Sequence, residues 1–93
     1  MKNNSSYNQL AMQVEEDVFY AAKDACYQSA INPMWEEKWW EDMETYYLWI
    51  KGQVEDKGFV EWDDGTKVHC TLKDVERVKR DYLEWIPIFN EPY

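Results

Sequence analysis

Two short runs, Gly58-Phe59-Val60-Glu61-Trp62 and Thr66-Lys67-Val68-His69-Cys70-Thr71, flank Asp63-Asp64-Gly65. A glycine that can take a left-handed conformation at this place folds the chain back on itself as an antiparallel hairpin. Side-chain alternation then decides the register. A two-residue turn at Asp64-Gly65 would set Glu61 opposite Val68. A three-residue turn over Asp63-Asp64-Gly65 sets Val60 opposite Val68 and Glu61 opposite Lys67. Only the second arrangement gathers Val60, Trp62, Val68 and Cys70 on one face and leaves Phe59, Glu61, Lys67 and His69 on the other. It separates apolar from charged side chains better and is the expected register. An isolated hairpin is marginally stable, so its apolar face must pack on the rest of the chain.

The rest reads as helix. Ser6 followed by Gln9 has the spacing of a capping box. From there Tyr7, Leu10, Ala11, Val14, Val18, Ala21, Ala22, Ala25 and Ser29 recur at steps of three and four, one face of a helix over 6–31. A second apolar set, Met12, Phe19, Cys26 and Ala30, lies beside the first, which predicts burial on more than one side. Asn32-Pro33 restarts the chain as cap and first helical residue. Trp35, Trp39, Met43, Tyr46 or Tyr47, and Ile50 mark the core face of a second helix over 33–51, with Gly52 as its stop and 53–57 as a polar connector. Thr71 and Asp74 open a third helix over 72–86, buried through Leu72, Val75, Val78, Tyr82, Trp85 and Ile86 and ended by Pro87. Residues 1–5 read as a frayed start and 87–93 as a tail. The expected fold is a small, helix-dominated α+β domain spanning 1–93, in the order helix, helix, β hairpin, helix. Its 93 residues suffice for one core.

The charge is lopsided. The formal net charge is -9. Residues 13–64 carry 14 of the 19 acidic side chains and only four lysines, whereas residues 65–93 carry five acids and five bases. On the second helix Glu37, Glu41 and Glu44 are spaced by four and three and share a face. Like charges so placed repel by ~0.2–0.5 kcal/mol per pair. Such a face either keeps the protein in solution or meets a strongly basic surface. Carboxylates along a rigid helix can present negative charge in the manner of DNA phosphates. The same helix carries four Trp and two Tyr between Trp35 and Trp49. One face cannot bury them all, so Trp40 and Trp49 are candidates for exposed anchors beside the acids.

These features exclude several classes. The acidic balance argues against direct binding of nucleic acid. The aromatic content argues against simple acidic disorder. No apolar run has the length of a membrane span. No apolar stretch follows Lys2, so no export signal is expected, and Cys26 and Cys70 are expected to be free thiols in a cytoplasmic protein. No phosphate loop, zinc pattern or nucleophile motif is present. His69 and Cys70 are neighbours on a strand and point to opposite faces, which rules out a nucleophile–base pair. No catalytic residue, metal or cofactor is expected.

In size, acidity and lack of an active-site motif the chain resembles small phage or mobile-element proteins that block host defence, such as anti-restriction and anti-CRISPR inhibitors. That resemblance of general character implies a non-enzymatic inhibitor, with a DNA mimic as one form of it, that occludes a basic nucleic-acid-binding site on a host protein in the host cytoplasm. The residues expected to contact the partner are Glu36, Glu37, Trp40, Glu41, Asp42, Glu44, Tyr47, Trp49, Asp63 and Asp64. Two alternatives share the physics or the size: an immunity protein or antitoxin capping a basic toxin nuclease, and a structural or assembly component of a virus, which would self-associate. A homodimer is compatible with either.

Overall fold

The computed structural model describes residues 5–86. The element order is α1 (Ser6–Ile31), α2 (Trp35–Lys57), β1 (Phe59–Glu61), β2 (Lys67–His69) and α3 (Leu72–Val78), which continues as a π-helical segment, Lys79–Leu83. The expected order of helix, helix, hairpin and helix is therefore the observed one. Residues 1–4 of the expected frayed start and the tail at 87–93 lie outside the described residues.

The hairpin has the register that alternation favoured. Phe59 pairs with His69, Val60 with Val68 and Glu61 with Lys67. Gly65 takes φ 92, the left-handed conformation the three-residue turn requires. Val60, Val68 and Cys70 are buried and Trp62 packs against the core. The free edge of β1 is covered by Gln53 of α2, whose amide accepts from the Glu61 N–H at 3.1 Å and donates to the Glu61 carbonyl at 3.4 Å.

The first helix starts where expected, but its cap is Ser5, whose side chain accepts from the Asn8 N–H at 3.1 Å. The Ser6 hydroxyl instead donates to Asp74. That carboxylate also closes a capping box with Thr71 at the start of α3. One aspartate thus holds the first turns of two helices together. The expected burial of α1 on more than one side does not occur. Leu10, Ala11, Val14, Val18 and Ala25 are buried, but the second set faces solvent, with Met12 70 % exposed and Phe19, Cys26 and Ala30 exposed as well. The other elements pack on one side of α1 only.

The second helix begins later and ends later than its sequence signals suggested. Asn32 caps the end of α1, its N–H donating to the Gln28 carbonyl, and its side chain accepts from the Met34 N–H at 2.9 Å. Pro33 therefore lies in the connecting turn and α2 opens at Trp35. Gly52 sits inside the helix, which runs on to Gly58 in the left-handed conformation at φ 83. The buried residues Trp39, Met43, Tyr47, Ile50 and Val54 explain this. Burying Val54 one turn beyond Ile50 offsets the cost of an interior glycine, roughly 1 kcal/mol.

The third helix also departs from its expected stripe. Val75 and Val78 are buried as expected, but the next buried residue is Leu83, not Tyr82. The π-helical segment supplies the extra residue, since its i→i+5 pattern advances the inward position by one. Trp85 is consequently exposed at 41 %, Leu72 is exposed at the open first turn, and Tyr82 and Ile86 are half-buried.

The two cysteines are free. Cys26 is exposed, while burial and the nearby Asp74 push the Cys70 thiol up to about 11. At pH 8 only about one Cys70 thiol in a thousand is then ionised, and the thiolate is the reactive form. Alkylation of the native protein at pH 8 is expected to modify Cys26 alone, with Cys70 following only in denaturant. Two modifications at equal rates on the native chain would contradict this burial.

Candidate functional site

The surface of α2 follows from its buried stripe. Trp39, Met43, Tyr47, Ile50 and Val54 face α1, β1 and α3. Side chains on the opposite side have nothing to pack on. Glu37, Glu41 and Glu44 are exposed there, as are Leu48 and Glu55. Glu36, Glu37 and Glu41 enter no hydrogen bond or ion pair among the described residues. Asp42 is exposed but pairs with Lys38 at 3.3 Å. The acids of α2 therefore form an outward face whose charge is mostly uncompensated.

The aromatic candidates divide. Trp40 and Trp49 are each 39 % exposed and lie on opposite flanks of α2. Trp40 borders a depression with Glu44, Lys79 and Leu83, next to the π-helical segment. Tyr47 is buried instead of displayed. Its hydroxyl donates to Glu76, and Lys51 and Lys79 lie over its ring.

Trp49 belongs to a different feature, an open cleft between α1, α2 and the hairpin. Tyr46, Trp49 and Trp62 line it, with Glu16, Asp17, Asp63 and Asp64 among the acids around it. The Tyr46 and Trp49 rings stack at 5.8 Å and 25°, and Trp49 meets Trp62 edge to face at 5.8 Å and 76°. A single oxygen of Asp17 fixes two of these rings, accepting from the Tyr46 hydroxyl at 2.5 Å and from the Trp62 indole N–H at 2.8 Å. Asp64 accepts from the Thr66 N–H and thereby holds the hairpin turn, and this hydrogen bonding lowers its pKa.

The structure thus distributes the ten expected contact residues over four places. Glu36, Glu37, Glu41, Asp42 and Glu44 lie along the exposed surface of α2, Trp40 beside the π-helical segment, and Trp49, Asp63 and Asp64 at the cleft, with Tyr47 in the core. Asp17, Tyr46 and Trp62 were not among the expected residues. Asp17 did leave a signal, because it follows Val14 by three and precedes Val18. An acid at the margin of a buried stripe needs donors from whatever packs there.

Three tyrosines use carboxylates as acceptors: Tyr7 bonds Asp81, Tyr46 bonds Asp17 and Tyr47 bonds Glu76. Burial first and the Asp81 bond second raise Tyr7 to about 12, against an opposing Arg77 whose guanidinium lies 3.8 Å from its ring centroid. The Glu76 bond first and burial second raise Tyr47 to about 12. Burial and then the Asp17 bond raise Tyr46 as well. An unfolded tyrosine ionises near pH 10 and so loses its proton before the folded one. Stability from these groups is complete below about pH 10 and falls as pH rises from 10 towards 12. Urea denaturation across that window should show the loss, and Tyr47→Phe should flatten it. An unchanged slope in the variant would contradict the Glu76 contact.

Among the described residues no His, Cys, Asp or Glu group is placed to hold a metal ion, and no helix is long and apolar enough to cross a membrane. No protein-family model, curated protein or solved structure matches the chain.

Proposed function

We propose that this protein works by binding another protein, and that its partner presents a basic surface used to hold nucleic acid. The observation that carries this reading is the outward face of α2, where Glu37, Glu41 and Glu44 stand exposed on one rigid helix despite their mutual repulsion. A field of one sign on a rigid support raises the encounter rate with a surface of the other sign. Occupying such a surface excludes its nucleic acid. A defence nuclease and a toxin nuclease both fit that description of the partner.

The exposed large side chains support a protein partner over a small ligand. Met12, Phe19, Tyr20, Tyr27 and Ile31 form an apolar stripe along the outer side of α1. Exposed apolar patches bordered by charge are characteristic of interaction surfaces. The test is capture of partners from a lysate of the host cell, with mass spectrometry and a duplex DNA or RNA competitor. The reading expects a nucleic-acid-binding protein that the competitor displaces. Capture that persists under saturating competitor would overturn it.

A further inference from the structure

We infer that the cleft lined by Tyr46, Trp49 and Trp62 receives an arginine side chain of the partner; this rests on the reading of a basic partner surface given above. Three observations lead there. The first is shape. Trp49 and Trp62 stand at 76° and form two walls of a corner, Tyr46 backs Trp49, and Asp17 locks Tyr46 and Trp62 in place. Trp49 is nevertheless 39 % exposed, so this built wall is open to a visitor.

The second is charge. Asp17 and Asp64 are engaged within the fold, but Glu16 and Asp63, which also line the cleft, have no hydrogen bond or ion pair among the described residues. The third is that these rings, although Tyr46 and Trp49 each cover one face of the other, carry no cation of the chain's own among the described residues. The chain's own cations cover Tyr7, Phe19, Tyr20, Tyr47 and Phe59, whereas among the described residues none lies over Tyr46, Trp49 or Trp62. Tyr20, which also borders the cleft, is the one ring there with a lysine over it.

A guanidinium matches this set of groups better than an ammonium. It is planar and weakly hydrated, so it can lie on an indole face, and its N–H groups spread in the plane towards carboxylates at the rim. An ammonium retains its water more strongly and offers no flat face.

Two short capped peptides, Gly-Gly-Arg-Gly-Gly and its lysine counterpart, test the inference without the partner. Each is titrated into the 93-residue protein while the tryptophan indole N–H signals are followed by NMR. The arginine peptide should move the Trp49 and Trp62 signals selectively and bind several-fold more tightly than the lysine peptide. Trp49→Ala should weaken that binding about tenfold. Glu16→Gln with Asp63→Asn, which keeps both walls, should weaken it as well. Reversal of Glu37, Glu41 and Glu44 to Lys should leave the response focused on the same two indoles. Equal binding of the two peptides, shifts spread over the whole acidic surface, or indifference to Trp49→Ala would overturn the cleft assignment. A negative result here beside salt-sensitive capture of a basic partner would remove the cleft alone. A positive result beside failed capture would remove the broader reading.

Discussion

Replacing Trp39 by alanine is expected to cost about 3–5 kcal/mol of stability. The ring is 3 % exposed, lies 6.4 Å from the Trp85 ring, and donates its indole N–H to the Trp85 carbonyl at 3.1 Å. Truncation removes the buried area, leaves a cavity in the stripe of α2, and frees a carbonyl that had a donor. A domain of this size has only about 5–15 kcal/mol in all, so the variant should unfold at markedly lower denaturant. Trp35→Ala should cost less, because that side chain is half-buried against the core. Trp40→Ala, 39 % exposed, should fall within about 0.5 to 1 kcal/mol of the parent. Urea titrations of the three variants measure this order. A Trp39 loss no larger than that of Trp40 would contradict the packing.

Reversing Glu37, Glu41 and Glu44 together to Lys should leave the fold unchanged and slow association with a basic partner by about tenfold or more at low salt. The three side chains are exposed, and exposed charges contribute little to stability. The change shifts the surface by six charge units on one helix side, which inverts its field. Added salt should slow the parent protein towards the variant, because screening removes the same steering. Stopped-flow association at two ionic strengths, with the captured partner, reads both effects. Association that tolerates the reversal and ignores salt would rule out an electrostatic contact. Recognition would then fall to the apolar stripe of α1.

The hairpin was legible because its information is local. Gly65 and the alternation of Val60, Trp62, Val68 and Cys70 sit within a dozen residues, and only one register keeps charge out of the core. The helix ends were less legible because glycine and proline do not act alone. Gly52 is tolerated inside α2 because Val54 is buried beyond it, and Gly58 ends the helix through its left-handed backbone. Leu83 could not be placed from a regular period, since the π-helical segment breaks that period. The exposed set on α1 shows that apolar spacing on its own does not bury a face; another element has to cover it. The acids of α2 were readable from spacing. The cleft was not, since Asp17, Tyr46 and Trp62 are remote in sequence and meet only once the tertiary fold exists.

The shared oxygen of Asp17 has a mechanical consequence. It ties the middle of α1 to α2 through Tyr46 and to the end of β1 through Trp62, so none of the three can move away without orphaning a half-buried polar group. Moving the Trp62 end of β1 away from the helix pair breaks a hydrogen bond to Asp17, which couples the hairpin to α1 and α2. The walls of the cleft are therefore not a loop feature that could be ordered late or grafted elsewhere. A molecule that grips them binds only the fully folded chain, and by mass action it raises the stability of every element joined at that carboxylate.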